Sequence, residues 1–468
     1  PPLVVDVDGT LVRSDLLIES GLDLARRRPL DLVHLPGWLA QGRAHLKREL
    51  ARRSAFDAAA VPLDEEVLAH LRRERARGRR IWLASASEGS LVQAIADHLG
   101  LFDGVFASDG RTNLKADAKA RALVAAFGEG GFDYIGNDRA DLPVWRRARR
   151  ALLVDAAARV AAALEAAGGS PEVLVARRRD PLARLRALRP HQWLKNLLVF
   201  APLLAAHHAG SAVLATAGVA FVAFSLVASG VYVLNDLLDL PSDRAHPRKS
   251  SRPLASGALP LASALVLSPA LVLAGLLLAA LVNPALAGVL ALYWLVTTAY
   301  SLYLKRKALL DVITLAGLYT LRVLGGAVAV GLAVSEWLLA FSMFLFLALA
   351  IIKRYAELVD AIARDQGDPR GRGYQAHDLS MLAALGAAAG YIAVLVFALY
   401  IRTPQVQALY AHPELLWGVC GLLLYWISRM LLASHRGRMD DDPVVFAVRD
   451  RGSLVVLVLS VVLVFAAT

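Results

Sequence analysis

Cysteine is almost missing from this 468-residue chain, which has only Cys420. A single thiol excludes an intramolecular disulfide and any cysteine-based metal site. Residues 1–190 lack any apolar run near the ~18 residues that a membrane crossing needs. No secretory signal pattern, low-complexity tract or clear repeat is visible, so the first domain is expected to stay on the side of synthesis. Acidic charge is the minority sign. Lys and Arg number 51 against 40 Asp and Glu, a net charge of +11. The basic residues cluster beside apolar runs, so anionic lipid and phosphate substrates explain them better than nucleic acid.

Residues 191–468 are apolar runs separated by short charged loops. The shift predicts three parts: a first domain at 1–155, a basic amphipathic linker at 156–190 containing Arg177, Arg178 and Arg179, and a membrane domain at 191–468. Nine transmembrane helices are expected, at 193–210, 213–235, 262–282, 285–303, 309–331, 336–352, 380–401, 414–432 and 452–468. The loops after the first, third and fifth runs lack Lys and Arg, and the loop after the seventh has only Arg402. The intervening loops are basic: Arg244, Arg248, Lys249 and Arg252, then Lys305, Arg306 and Lys307, then Lys353, Arg354, Arg364, Arg370 and Arg372, then Arg436, Arg438, Arg449 and Arg451. That alternation predicts a plasma-membrane protein with its N-terminal domain in the cytoplasm and its C-terminus outside.

The second run ends in Asn235-Asp236-Leu237-Leu238-Asp239-Leu240-Pro241-Ser242-Asp243. Asp236, Asp239 and Asp243 are spaced i, i+3 and i+7, one helical face. Such an oxygen-rich cluster suits a hard divalent cation, and Mg²⁺ commonly bridges carboxylates to substrate phosphates. Lys249 and Arg252 follow within reach of the same phosphates. Further polar residues stand at or within the runs: Lys195 and Asn196, Asp311, Arg322 in Leu321-Arg322-Val323-Leu324-Gly325-Gly326, and Lys353 and Arg354. An arginine as deep as Arg322 is expected to face a polar cavity rather than lipid, either gripping phosphate or held in an internal ion pair. Gly325 and Gly326 would admit a close helix beside it.

The aspartate motif and the following Lys249–Pro253 pattern resemble the UbiA superfamily of intramembrane prenyltransferases. Segments 189–196, 321–326 and 353–358 are more similar to its polyprenyl-phosphate phosphoribosyltransferase branch. Many prenyltransferases of the family carry a second aspartate-rich cluster, where this chain has Asp311 alone. The resemblance implies phosphoribosyl pyrophosphate as donor, a polyprenyl phosphate as acceptor, and one or two Mg²⁺ on Asp236, Asp239 and Asp243. Asn235, Lys195, Asn196, Lys249, Arg252, Asp311, Arg322, Lys353 and Arg354 would contact substrate.

In the soluble half, Leu3-Val4-Val5-Asp6-Val7-Asp8-Gly9-Thr10 reads as a buried strand entering a glycine turn. Asp6 and Asp8, two apart, project to one side. Apolar strands also precede Ser85-Ala86-Ser87 and Asn137-Asp138-Arg139-Ala140-Asp141, with Lys115 and Lys119 between them. Strands alternating with helices predict an α/β, Rossmann-like parallel sheet with its site at the C-terminal strand ends. Together these motifs resemble the haloacid dehalogenase (HAD) superfamily. The resemblance implies Asp6 as nucleophile, Asp8 as general acid–base, Ser85 as a phosphoryl contact and Lys119, or else Lys115, as charge neutraliser. It also implies one Mg²⁺ on Asp6, Asp8, Asn137 and Asp141. Asn137 stands where the family usually has Asp, and Asp138 is nearby. Residues 12–75 should form a small helical cap.

The expected protein is a bifunctional membrane enzyme: it makes polyprenyl-phosphate 5-phosphoribose and then removes the 5-phosphate. The competing readings are a prenyltransferase of an aromatic or lipid acceptor with a regulatory HAD domain, and a channel or transporter with a phosphatase-like domain. The lipid's length and any homo-oligomer are left open by the sequence.

Overall fold

The computed structural model describes residues 1–156, 158–176, 180–207, 210–363, 373–439 and 443–468. Arg177–179 of the expected linker, and Arg364, Arg370 and Arg372, lie outside the described residues. The chain forms two compact units. The first is Pro1–Leu188 with Tyr232–Ser268, and the second is Arg189–Val231 with Pro269–Thr468.

The first unit is built on a six-stranded, all-parallel sheet. Its strands are β1 (Leu3–Val5), β2 (Ile81–Glu88), β3 (Gly104–Ser108), β4 (Asp133–Gly136), β5 (Arg150–Val154) and β6 (Pro171–Val175), in the order β3-β2-β1-β4-β5-β6. A parallel sheet is covered on both faces, so its central strand must be apolar throughout. β1 is: Leu3 and Val5 enter one core with Ile81 and Leu83, while Val4 enters the other with Phe132 and Tyr134. β1 lies between β2 and β4, where the strand order reverses and a crevice opens beyond the strand ends. The stretch expected to act as a linker instead supplies the helix Ala158–Glu165 and the sixth strand, β6.

Helices Leu16–Arg27, Leu35–Ala40 and Arg43–Arg53 form the expected cap after β1. Leu24, Trp38 and Leu50 make its small core. Asp15 caps the first of these helices by accepting from Ile18 N at 3.0 Å.

Among the described residues, seven helices are long and apolar enough to cross a membrane, against nine predicted. The pair Pro443–Arg449 and Arg451–Ala467, bent by 80°, would make an eighth. The first predicted crossing is a 3₁₀ helix, Pro190–Phe200, continued by the short α-helix Ala201–Ala205. Proline at 190 and 202 removes amide donors, and Arg189 turns the chain at φ +53° just before the segment. Two helices, Ser211–Leu238 and Glu336–Ala363, have 28 residues each. At that length each spans about 42 Å, more than a hydrocarbon core of ~30 Å. The surplus places Asn235 and Asp236 in the last turn of one helix, and Arg354 and Glu357 toward the end of the other.

Candidate functional site

At the crevice between β1 and β4, the chain leaves β1 through Asp6 and turns at Gly9, whose φ is +75°. A Cβ at Gly9 would lie 2.2 Å from Asn137 Nδ2, so this turn needs glycine both for its φ and for the approach of the β4 loop. Asp6 is buried, and its Oδ1 accepts from Lys119 Nζ at 2.7 Å. Lys119 projects from the helix Asp117–Phe127 and also donates to Tyr134 Oη (2.9 Å) and Asp141 Oδ1 (3.4 Å). Burial pushes the Asp6 carboxyl up, Lys119 pulls it down, and Asp141 and Asp8 add to the rise. Burial alone would lower Lys119, but Asp6 and Asp141 outweigh it and keep the ammonium protonated.

Asp8 accepts from Leu16 N (2.8 Å), Ser85 Oγ (3.0 Å) and Ser87 Oγ (2.7 Å). It thereby ties the first cap helix to β2. A cavity of about 1110 Å³ opens over Asp6, Asp8, Lys119, Asn137 and Ser87. The resemblance implies Ser85 as the phosphoryl contact. Ser85 is fully buried and spends its hydroxyl on Asp8, while Ser87 lines the cavity. The two are i and i+2 on one strand and so share a face, a signal already present in the sequence. Lys115 lines the cavity, but Lys119 is the lysine on Asp6.

Asp141 does not have the free carboxylate expected of a metal ligand. Tyr134 Oη donates to its Oδ1 (2.8 Å), and the amides of Asn137 and Asp138 donate to its Oδ2 (both 3.2 Å). It closes a capping box with Asp138 and holds the loop after β4. Asp6 and Asp141 both contact the Lys119 ammonium, and Asp8 is close enough to raise the Asp6 carboxyl. The oxygens of Asp6, Asp8 and Asn137 that line the cavity are the donor type a hard divalent cation prefers.

The aspartate motif also lies in the first unit. Asp236 and Asp243 converge on one guanidinium nitrogen, Arg252 Nη1, at 3.2 and 2.5 Å. The helix breaks at Asp239, which is the N-cap residue of the next short helix, Leu240–Ala245, with φ −92° and ψ 10°. Among the described residues, no three His, Cys, Asp or Glu side chains form a ready metal cage. Two features still suit a cation: the carboxylate pair already holds one, and the neighbouring Asn235 Oδ1 is buried with no hydrogen-bond partner. Lys249 is exposed.

The second unit holds two buried arginines. Arg322 donates to Asn196 Oδ1 (2.8 Å), Leu318 O (2.7 Å) and Tyr293 Oη (2.8 Å), and its guanidinium lies near the faces of Tyr293 and Tyr319. Asn196 donates in turn to Ser225 Oγ at 3.0 Å, and Lys195 lies over Tyr319. Gly326 makes this grouping possible, since a Cβ there would fall 1.9 Å from Val199 O in the 3₁₀ segment. The internal ion pair weighed for Arg322 is replaced by neutral oxygens and rings. Arg354 differs. It pairs with Asp311 and Glu357 and donates to Tyr300 Oη at 2.9 Å. Tyr374 Oη donates to Asp311 at 2.6 Å. Asp311 and Arg354, both expected to touch substrate, are therefore each other's partners. Lys353, next to Arg354, is half-buried. Tyr293, Tyr300 and Tyr374 carried no signal in the sequence, because a tyrosine in an apolar run reads as packing.

Two family models match the chain: the UbiA prenyltransferase family over residues 196–465, and haloacid dehalogenase-like hydrolase over residues 3–146. The uncharacterised protein y4nM of Sinorhizobium fredii is 37% identical over 97% of this chain and 88% of its own length. Nodulation protein NoeC of Azorhizobium caulinodans is 38% identical over 60% of this chain and 91% of its own. Decaprenyl-phosphate phosphoribosyltransferase of Mycolicibacterium smegmatis is 41% identical over 37% of this chain and 56% of its own. Seven apolar helices of membrane-crossing length, the aspartate pair at and just beyond the end of one of them and the match over 196–465 agree: this chain is an integral membrane protein that belongs to the UbiA prenyltransferase family, with a first segment, 3–146, that matches haloacid dehalogenase-like hydrolase.

Proposed function

We propose that the chain is a two-site enzyme. The membrane part transfers 5-phosphoribose from phosphoribosyl pyrophosphate to a polyprenyl phosphate, and the dehalogenase-like part removes the 5-phosphate. The observation that carries the transfer reading is Arg322, a buried cation whose partners are all neutral. Its positive charge stays uncompensated until an anion such as a phosphate arrives. The phosphoribosyltransferase name of several relatives supports a phosphoribosyl donor. So does the engagement of Asp311 by Arg354 and Tyr374, which ties up that carboxylate within the protein.

In the transfer step, Asp236, Asp243 and the Asn235 amide would hold Mg²⁺, with Asp239 as a further candidate. Arg252 would release the carboxylates and turn to the diphosphate. Magnesium there would stabilise the departing pyrophosphate. Arg322 and Lys195 would orient phosphate groups, and Lys353 would add charge. The lipid phosphate is already an anionic nucleophile, so no general base is required. In the hydrolytic step Asp6 attacks phosphorus, Asp8 protonates the leaving oxygen and then activates water, and Lys119 and Ser87 hold the phosphoryl oxygens. Asp6, the Asp8 carbonyl and Asn137 would hold the second Mg²⁺. The alternation of basic loops supports a plasma-membrane protein with a cytoplasmic hydrolase part. With the basic loop 436–451 in the cytoplasm, an outer C-terminus follows if 452–468 crosses. The test is incubation of purified protein with phosphoribosyl pyrophosphate, Mg²⁺ and a polyprenyl phosphate, followed by mass spectrometry of the lipid. An unmodified lipid would refute the transfer reading.

A further inference from the structure

The phosphatase-type cavity has a wall that does not come from the dehalogenase-like segment. Residues 257–263 line it together with Asp6 and Asp8, and belong to the stretch that follows the aspartate pair. Leu261, Ala262 and Ser263 are also the first residues of Leu261–Val282, a helix of membrane-crossing length. The wall is therefore the end of a candidate membrane span.

Three features hold it in place. Arg244 makes a bidentate pair with Glu19 of the first cap helix, at 2.7 and 3.1 Å, and further donates to Ala60 O and Ala255 O. Both side chains are largely buried, at 10% and 13% exposure, so the pair is better shielded than a surface salt bridge. Around it Ile18 and Leu22 of the cap helix pack on Val233, Leu237, Leu240, Leu254 and Leu259. At Gly257, with φ +74°, the loop touches Arg13: a Cβ would lie 2.6 Å from Arg13 O, so only glycine admits this approach.

The lining of the cavity is mixed. Asp6, Asp8, Lys119, Arg13, Arg43 and Lys47 bring charge, whereas Leu17, Ile18, Leu39 and Leu46 of the cap and Leu259 and Leu261 of the wall are apolar. A small, fully hydrated phosphomonoester uses only the charged groups. A phosphomonoester on an isoprenoid carrier also has apolar chain to set against the leucines, and the wall runs into a helix of membrane-crossing length.

We propose that the stretch following the transferase carboxylates is also the specificity wall of the phosphatase pocket, clamped there by Arg244 and Glu19, and that it selects phosphomonoesters carried on a membrane lipid over soluble ones. The proposal rests on the phosphatase reading of the first domain. Arg244 and Glu19 are positioning residues, so the test is a charge swap in the full-length protein in lipid nanodiscs. Glu19→Arg, Arg244→Glu and the double variant are compared with wild type on synthetic polyprenyl-phosphate 5-phosphoribose and on p-nitrophenyl phosphate. Hydrogen exchange in Leu16–Arg27 is followed in parallel. Each single reversal should cut the preference for the lipid substrate by about tenfold and speed exchange in that helix, and the double variant should restore both. Unchanged preference in the singles, or a double variant that regains exchange protection without regaining preference, overturns the proposal. If wild type cleaves neither substrate, the phosphatase reading fails. Exchange then decides the clamp by itself: acceleration in the singles with recovery in the double supports it, and no change overturns it.

Discussion

Arg322 and Arg354 are both buried guanidiniums on long apolar helices, yet they are held in opposite ways. Arg354 faces two carboxylates, Asp311 and Glu357, and its charge is met within the protein. Arg322 has a side-chain amide, a carbonyl, a phenol and two ring faces. The first arrangement braces helices. The second keeps a desolvated positive charge in reserve, which has a use only if an anion comes. Lys119 is an intermediate case, a cation paired with the residue read as the nucleophile.

The largest effect should come from Asp6→Asn, which takes the carboxylate out of that intermediate pair. Phosphate release should fall to background, and the lipid should stay one phosphate heavier by mass spectrometry. Normal phosphate release would class Lys119 and Asp6 with the bracing pair. Next is Arg322→Met. Transfer should drop roughly 10²–10³-fold, the usual cost of removing one oriented donor to developing charge, while the thermal midpoint stays near wild type. Full transfer in a folded variant would erase the distinction between the two arginines.

Arg354→Met should act on stability first. It leaves Asp311 buried without its cation, a loss of about 3–5 kcal/mol. Pairing it with Asp311→Leu should recover most of that, read as the folded fraction across a denaturant series. A single variant as stable as wild type would mean that Arg354 does not brace its helices. The smallest effect concerns Asp133 in β4. Burial would raise its carboxyl, but Arg149 and Arg79 hold it below its ordinary value. A depressed folded pKa gives stability that is present above the unfolded pKa of about 3.9 and is lost as pH falls through the folded value. Arg149→Met should move acid unfolding of the first unit to higher pH. At neutral pH it should cost roughly 1 kcal/mol or less, because Arg149 is half exposed.

Much of the architecture was legible in the sequence. The alternation of short apolar strands with helices led to the parallel sheet, and Asp6 and Asp8 were found because strand parity and the glycine turn place chemistry at a strand end, while Lys119 was named with Lys115 through the family resemblance. Hydropathy found seven membrane-length helices among the described residues, against nine predicted. It registers composition, not the prolines that make the first run a 3₁₀ helix or the 80° bend just before the last run, the 17-residue helix Arg451–Ala467. It also missed β6, whose Pro171–Val175 is short and largely exposed and declares itself only by pairing with β5.

By itself the sequence determined which stretches are apolar and for how long, where charge alternates, and which residue types stand at the strand ends. These are local properties, set by period and composition. Only the tertiary structure decided which charge meets which. It paired Asp311 with Arg354, left Arg322 to neutral partners, drew Asp236 and Asp243 onto Arg252, turned Ser85 to Asp8 and Asp141 to the amides of its own loop, and brought Arg244 to Glu19 across 225 positions of chain. Whether a buried ionisable group braces the fold or waits for a ligand depends on what lies within about 4 Å of it, and that distance is fixed by packing between segments far apart in sequence.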